Sequence, residues 1–289
     1  MIGIIGIVVI FVMVFGGYTL AGGKLGIILK ALPFEMIMIG GAALGAFLLG
    51  NDMAAVKRTA SDIGKVFKGA KWKPADYRDL LCLLFELIRV ARSNPVALEE
   101  HIERPESSAI FARYPRIAKD HEAVDLICDT LRAASMNYDD PHQVEEVLDK
   151  RMETHQHHAM HSSHALQTVA DALPALGIVA AVLGVIKTMG SIDQPPEILG
   201  KMIGSALVGT FLGVFLAYGL FGPFAARVKA VTEEDGHFYL LIREVLVANL
   251  HNHAPNICIE VGRQNTPHHV RPSFGDVETA LRALKAEAA

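Results

Sequence analysis

The sequence lacks the residue patterns that mark most enzymes. No Ser-His-Asp order, pair of catalytic carboxylates or glycine-rich nucleotide fingerprint stands out along the 289 residues. The segment 21–24 (AGGK) resembles a phosphate-binding loop, but Tyr18 stands where that motif needs glycine and Leu25 where it needs serine or threonine. The sequence therefore disfavours an enzyme and indicates no cofactor.

Charge is absent from long stretches of a chain that is 51% hydrophobic. Ile2–Leu20 has no charged residue and is long enough to cross a hydrocarbon core of about 30 Å as a helix. A secretory signal is disfavoured there, because no basic segment precedes the run and no small-residue cleavage site follows it. Three similar blocks follow, at Phe34–Gly50, Val169–Met189 and Leu199–Phe224. Since none of the four has a polar face, they are not typical of helices in a soluble protein.

The links between these blocks predict two helical hairpins. Ala21–Pro33 is a glycine-rich connection that is too short to form a domain. Gly190–Ile198 contains Pro195 and Pro196, which cannot continue a helix. The predicted fold is all-α, a polytopic membrane protein with four transmembrane helices and a helical cytoplasmic domain.

Basic residues predict the orientation in the membrane. They are frequent after the second and fourth blocks, at Lys57, Arg58, Lys65, Lys68, Lys71, Lys73, Arg227 and Lys229. The hairpin connections carry only Lys24, Lys30 and Lys201. Because cytoplasmic segments are enriched in lysine and arginine, we expect both termini in the cytoplasm. The predicted segments are spans 1 and 2 (1–50), a cytoplasmic helical domain (51–166), spans 3 and 4 (167–226) and a cytoplasmic tail (227–289).

Cysteine is scarce and nucleic-acid features are absent. Cys82, Cys128 and Cys258 are far apart and lie in segments predicted to be cytoplasmic, which favours buried free thiols over disulfides. The net charge of −4 gives no indication of a nucleic-acid partner.

The cytoplasmic segments show helical periodicity. Tyr77, Leu81, Leu84, Ile88 and Ala91 form one apolar stripe, on a helix predicted from near Pro74 to before Asn94. Asp140 and Pro141 form a helix start, and no proline or glycine follows until Pro174, so one long helix is expected to enter the third span. Further predicted helices are Val96–Ile102, one marked by Ile117, His121, Val124, Ile127 and Leu131, Thr232–Leu250 and a polar one at Asp276–Ala288, with His251–Pro272 broken.

Five histidines, at 155, 157, 158, 161 and 164, are the most unusual local feature. His157, His161 and His164 would share a helix face, where a metal or a pH-sensing site is possible. No carboxylate or cysteine converges at ligand spacing, so a solvated or headgroup-facing surface is favoured and no metal is predicted.

The predicted spans also lack an ionisable residue at depth. Their charges, at Glu35, Asp171, Lys187 and Lys201, are expected near the ends. Because proton pathways normally need such a residue inside the bilayer, this chain alone would not relay protons. Pro174 is expected to interrupt the third span near its cytoplasmic end. Pro174, Thr210 and Pro223 could line a cavity or flex a helix, or could serve only in packing. Small residues at 177, 180, 181, 184, 204, 209 and 213 predict close helix contacts and oligomerisation around a partner helix.

Several motifs resemble the MotA family of flagellar stator proteins, within the MotA/TolQ/ExbB proton channels. LPALGIVAAVLG at 173–184 is similar to its third span, and VGTFLG at 208–213 with AYG at 217–219 is similar to its fourth. FARYPRI at 111–117 and RPSF at 271–274 also match. The resemblance covers nearly the whole chain and implies an inner-membrane protein.

The resemblance also implies partners and residue roles. It implies a homo-pentamer in membrane lipid around a dimer of MotB, a single-span, peptidoglycan-binding protein that supplies a membrane aspartate. The ring would push on the rotor switch protein FliG through Arg92 and Glu99, although Arg89 could share or replace the role of Arg92. Pro174, Ala181, Thr210 and Pro223 would serve the ion pathway and its coupling. The transported ion would be H⁺, because sodium-driven relatives have threonine where this chain has Ala181.

Other functions stay open at this stage. An ExbB/TolQ-like energiser of envelope processes would have three spans and the opposite amino-terminal orientation. A solute transporter would usually show internal repeats and a midplane site, and neither is evident. A purely structural membrane scaffold would tolerate replacement of Pro174 and Thr210.

Overall fold

The computed structural model describes residues 2–136 and 140–287, and every regular element in these ranges is helical. In chain order the helices are α1 (Ile2–Phe11, continued by the π-helical turn Val12–Gly16 and by Gly17–Leu20), α2 (Leu25–Glu35, continued by the π-helical turn Met36–Gly40 and by Gly41–Gly50), α3 (Met53–Asp62), α4 (Lys65–Lys68), α5 (Pro74–Ser93), α6 (Pro95–Glu103), a 3-10 turn (Pro105–Ser107), α7 (Ala109–Ala112), α8 (Pro115–Ala118), α9 (His121–Met136), α10 (Pro141–Met189), α11 (Pro196–Leu250), α12 (Pro255–Asn265) and α13 (Phe274–Glu287). The predicted all-α class is confirmed.

The chain forms two compact units. Residues 2–69 and 159–231 belong to the membrane unit, and residues 70–158 and 232–287 belong to the second unit. Four helices in the described ranges are long and apolar enough to cross a membrane, namely α1, α2, α10 and α11. Because α10 and α11 extend well beyond their apolar blocks, each contributes residues to both units. The division into spans and cytoplasmic segments at residues 50, 166 and 226 stays a prediction.

The first hairpin is tighter than predicted. The link is only Ala21–Lys24, since α2 begins at Leu25 and includes Pro33. Inside a bilayer no water is present to hydrogen-bond with the backbone, so ending a helix there is costly. A membrane helix therefore continues past a single proline or charged residue that a helix in a soluble protein would tolerate less well. The second hairpin agrees better with prediction, because Pro196 occupies the first position of α11, where its missing N–H leaves no helical hydrogen bond unmade.

Glycine brings α10 and α11 into backbone contact within the membrane unit. A Cβ at Gly213 would lie 2.6 Å from the Leu173 carbonyl oxygen and 2.9 Å from Gly177 Cα. A Cβ at Gly184 would lie 2.6 Å from Ala206 Cβ. The predicted close helix contacts are thus confirmed at these positions, whereas Gly204 has only Ile27 nearby, at 3.8 Å. These contacts lie close in sequence to three of the predicted pathway residues, Pro174, Ala181 and Thr210.

Helix α11 does not end near Phe224, as the sequence suggested. It continues to Leu250, so the helical stretch predicted at Thr232–Leu250 is confirmed, but it is part of α11 and not a separate helix. A π-helical turn, Ala217–Phe221, ends two residues before Pro223. The wider turn loosens the regular hydrogen-bonding pattern where the proline ring must fit, and the helix is not broken.

The second unit is built around α5. This helix runs from Pro74 to Ser93 as predicted, but the single predicted stripe is too narrow, since Leu80, Leu83, Phe85 and Leu87 are also buried. Helices from distant parts of the sequence cover it on several sides. Trp72 stacks on Phe238 with ring centroids 3.7 Å apart, which closes one end of this core.

Three local predictions in this unit need correction. Helix α9 begins at His121 and excludes Ile117, because the Asp120 carboxylate accepts a hydrogen bond from the Ala123 amide and caps the helix. The region 251–272 contains α12, in which Gly262 permits close approach to Val245. Helix α13 is amphipathic instead of polar, with Val277 and Leu281 buried; the last residue of its predicted range, Ala288, lies outside the described residues.

The three cysteines are free and buried, as predicted. Burial raises the pKa of the Cys82 thiol to about 11 and that of Cys128 to about 12. Burial also raises the pKa of Cys258. All three are therefore protonated thiols near neutral pH.

We expect Gly213→Ala to destabilise the membrane unit, because its methyl group would overlap the Leu173 carbonyl and force α10 and α11 apart. The expected cost is about 1–3 kcal/mol. Thermal unfolding in detergent, followed by circular dichroism, measures it. Gly200→Ala is the matched control on α11, since a Cβ there meets nothing within 4 Å. Equal unfolding temperatures for the two variants would contradict the backbone contact.

We expect the three thiols to resist iodoacetamide near neutral pH in the native protein and to react after unfolding, because alkylation needs an accessible thiolate. Since the folded-state pKa values are raised, the thiols stabilise the fold fully below about pH 9 and lose this contribution as the pH rises toward 11. Mass spectrometry of labelled peptides and unfolding temperatures across this range provide the test. Rapid native labelling of Cys82 at neutral pH would contradict it.

Candidate functional site

Ala181 packs against Gly209, the residue before Thr210, where α10 and α11 cross. A Cβ at Gly209 would lie 3.2 Å from both the Ala180 Cβ and the Ala181 amide nitrogen. Ala180 and Gly209 are buried, whereas Ala181 and Thr210 are partly accessible. The structure therefore places two of the four predicted pathway residues at or next to this crossing.

Pro174 lies on α10, on the N-terminal side of the same crossing. The preceding residue, Leu173, is buried and directs its carbonyl oxygen at Gly213. The sequence suggested that Pro174 interrupts this helix, but α10 is continuous from Pro141 to Met189. The proline removes one backbone donor without ending the helix, because contacts with α11 hold both sides of it.

Pro223 is not part of this crossing. It is exposed and lines a separate cavity of about 580 Å³ in the membrane unit. Other residues around this cavity include Gly3, Ile10, Val66, Phe224 and Arg227. The structure thus separates Pro223 from the other three predicted pathway residues.

Glu35 was predicted near the end of a span, and the structure corrects this. Because α2 begins at Leu25, Glu35 is 11 residues inside a helix of 26 residues. Its side chain is buried, and a Cβ at Gly209 would lie 2.7 Å from its Oε2 atom. A carboxyl group therefore lies against Gly209, which also packs against Ala181 and directly precedes Thr210. The signal that could have found it is the helix start immediately after the turn at 21–24.

The three candidate charges for partner contact have different surroundings. Arg92 is exposed but bonded within its own unit, since its Nη2 atom donates to Asn249 Oδ1 at 2.9 Å and also to the His253 carbonyl oxygen. Arg89 is half-buried and Glu99 is exposed, and neither has a hydrogen bond or ion pair within the described ranges. Arg89 and Glu99 thus remain available to a partner, whereas Arg92 joins α5 to the end of α11 through its hydrogen bonds.

The five predicted histidines do not gather into one site. His155 packs against Tyr239 in the second unit, with ring centroids 4.8 Å apart and the ring planes tilted by 56°. His161 and His164 belong to the membrane unit, where they line a cavity of about 230 Å³ with Asn51 and Thr168. No shared ligand set arises from them in the part of the chain that the structure describes.

A different cluster, at the start of α10, was missed by sequence reasoning. The Glu145 Oε2 atom lies 3.3 Å from His251 Nε2 and 3.7 Å from His142 Nδ1. The Arg243 guanidinium also pairs with Glu145, at 3.1 Å, and with Asp149, at 2.7 Å. The hydrogen bond from His251 lowers the pKa of Glu145. Since Arg243 already neutralises this carboxylate, the cluster is an ion-pair network with ligand atoms at metal-binding spacing.

Comparisons with known proteins identify the family. The model for the motility protein A N-terminal region matches residues 4–95, and that for the MotA/TolQ/ExbB proton channel family matches residues 119–237. Motility protein A of Escherichia coli is 39% identical over 99% of this chain and 96% of its own length. Chemotaxis protein LafT of Vibrio parahaemolyticus is 36% identical over 96% of this chain and 97% of its own. This chain belongs to the motility protein A family.

Solved structures support the same fold. The C. jejuni MotAB structure matches with a TM-score of 0.72 at 20% identity, covering 94% of this chain and 98% of that chain. The Bacillus subtilis flagellar MotAB stator complex matches with a TM-score of 0.66 at 22% identity, covering 89% and 92%. Membership of this family makes the chain a multi-pass inner-membrane protein and a proton-conducting stator subunit of the flagellar motor. The stator function is favoured over the ExbB/TolQ-like energiser and the solute transporter.

We expect Arg89→Gln to reduce motor torque without lowering the unfolding temperature, because Arg89 has no bond within its own unit. Arg92→Gln should lower stability by about 1 kcal/mol through the loss of bonds to Asn249 and His253. Tethered-cell rotation and thermal unfolding measure the two effects. Arg78→Gln on the same helix, where arginine pairs with Asp79, serves as the control. Normal rotation of Arg89→Gln cells, with stalled rotation and unchanged stability for Arg92→Gln, would assign the contact to Arg92.

Proposed function

We propose that this stator subunit converts proton flow at its interface with MotB into torque on the rotor, and that it catalyses no covalent reaction. The observation that carries the proposal is the crossing of α10 and α11, where Ala181 and the buried Glu35 carboxyl both lie against Gly209, the residue before Thr210. Motion of either helix changes the surroundings of all three groups. The 39% identity to a motility protein A over nearly the full length supports the same function.

The partner is a single-span protein of the MotB type. The related solved structures are MotAB complexes. In the isolated chain, α10 exposes large apolar side chains at Ile178, Val179, Val182, Val185 and Ile186. Such a face needs lipid, a partner helix or another copy to cover it. A homo-pentamer around a MotB dimer, embedded in lipid, would provide all three.

The basic residues of the links support a topology with both termini in the cytoplasm. The second unit then lies in the cytoplasm and can reach the rotor protein FliG. Arg89 and Glu99 are its contact charges, with Arg92 in a positioning role. Exposed charges of this kind guide docking more than they stabilise a fold.

The coupling ion is the proton, and no other cofactor is needed. Sodium must exchange its water for several oxygen ligands, whereas a proton needs only a carboxylate and a chain of water. Ala181 offers no side-chain oxygen, and Thr210 alone can orient water. A transmembrane potential supplies about 2.3 kcal/mol per charge per 100 mV, enough to bias a conformational step of a few kcal/mol. Pro174 and Pro223 are proposed to let α10 and α11 adjust during that step.

We expect cells without this chain to build flagella that do not turn. Rotation restored by the wild-type gene should stop with a protonophore and should not respond when sodium is replaced by potassium at constant membrane potential. Thr210→Val, which keeps the side-chain shape but lacks the hydroxyl, should slow rotation, whereas the control Thr210→Ser should not. Tethered-cell rotation speed is the measurement. A speed that rises with external sodium would overturn the proton assignment.

A further inference from the structure

Glu35 lies at membrane depth with no partner. From the start of α2 it is about 15 Å along the helix, at about 1.5 Å per residue, which is close to the middle of a hydrocarbon core of about 30 Å. Its side chain is 4% exposed, and the Oε2 atom has no hydrogen-bonding partner among the described residues. An ionised carboxylate in such a place is strongly disfavoured unless it is paired. The buried position of the Oε2 atom, called the seat below, therefore favours the protonated, neutral form of the Glu35 carboxyl group.

The seat is formed by a glycine. Gly209 presents bare backbone to Glu35, and any side chain there would overlap Oε2, since a Cβ would lie 2.7 Å away. The same glycine packs against Ala180 and Ala181 on α10. The carboxyl thus contacts the α10–α11 crossing itself, and a shift of α11 relative to α2 would open the seat.

Glu35 also borders a cavity whose mostly apolar lining carries a few polar side chains. Glu35 lines this cavity, of about 440 Å³ in the membrane unit, together with Lys30 from its own helix, Lys187 and Thr188 from α10 and Ser205 from α11. Lys30 and Lys187 are the charged groups on this cavity; α11 contributes no titratable side chain to it, and α1 does not reach it. Lysine side chains that line a cavity stabilise a carboxylate that turns toward them, although the Thr188 hydroxyl already donates to the Gly184 carbonyl oxygen. Contact with Gly209 favours the protonated carboxyl, and approach to the two lysines favours the carboxylate.

We propose that Glu35 is a proton-binding site of this chain, which holds its proton while seated against Gly209 and releases it on turning toward the lysine-lined cavity. On release, the carboxyl O–H bond breaks, the proton passes to water in the cavity and the carboxylate remains beside the ammonium groups. Rebinding of a proton returns the carboxyl to its seat. The link from this site to torque rests on the proposed stator function, but the protonation itself does not.

Infrared difference spectroscopy of the purified protein in lipid vesicles tests the protonation directly. The wild-type minus Glu35→Gln spectrum near neutral pH should contain the C=O band of a protonated carboxyl, and this band should shift in heavy water. Glu197→Gln is the matched control, because Glu197 is an exposed glutamate at the start of α11 in the same unit. A difference spectrum that shows loss of carboxylate bands instead would overturn the proposal.

Gly209→Ala tests the seat. Its methyl group displaces the carboxyl toward the cavity, so the protonated band should weaken and carboxylate bands should grow; an unchanged band would show that the seat does not hold the proton. If Glu35→Gln does not accumulate, Glu35→Met, also uncharged, replaces it in the subtraction. Failure of both to accumulate would indicate an ionised, paired carboxylate and would also overturn the proposal.

Motility separates this inference from the proposed function. Glu35→Gln cells should rotate with a pH dependence of speed that differs from wild type, whereas Glu197→Gln cells should not. A protonated band in a protein whose deletion leaves motility intact would keep the proton site and reject the stator function. If the band is missing but deletion of the protein abolishes motility, the stator function stands and Glu35 is rejected as a proton site.

Discussion

The backbone contact between α10 and α11 is the constraint on which the membrane unit depends. Gly177, Gly209 and Gly213 let the two helices touch where any side chain would hold them apart. In a bilayer, apolar side chains gain little by moving from lipid to protein, so close backbone packing is a main source of helix association. The contact also fixes which residues meet. Because Gly209 has no side chain, Ala181 can pack against it and the Glu35 carboxyl can lie beside it without overlap.

The second unit is stabilised by different physics. It has a continuous apolar core around α5, and its buried acids have partners. Asp76 accepts a hydrogen bond from the Lys73 amide and pairs with Arg116, and Asp120 pairs with Lys71 and accepts from the Tyr239 hydroxyl. Glu35 is the contrast, since its Oε2 atom is buried without any such partner in the described ranges. In a protein that otherwise pairs its buried acids, this exception indicates function more than stability.

Sequence patterns predicted the helical class, the four apolar blocks and the starts at Pro74 and Pro141, because hydrophobicity and capping are local properties. They failed where distant packing or the bilayer overrides local preference. Pro33 and Pro223 do not end helices here, Gly262 lies inside one, and Pro174 does not interrupt α10. The misplacement of Glu35 followed from the first of these errors, since a helix taken to begin at Phe34 puts the next residue at its end.

The motif resemblance left open which arginine of α5 contacts the rotor, and the structure distinguishes the surroundings of the two. Arg92 and Arg89 lie one turn apart on α5, and both could match a family position by sequence. Only coordinates show that the Arg92 guanidinium is already held by Asn249 and the His253 carbonyl, while Arg89 has no such bonds. A side chain that must bind a moving partner repeatedly gains from the absence of a competing internal bond, because each docking event would otherwise first break it. The same reasoning makes Glu99, exposed and unbonded, the natural acidic counterpart of Arg89 on this surface.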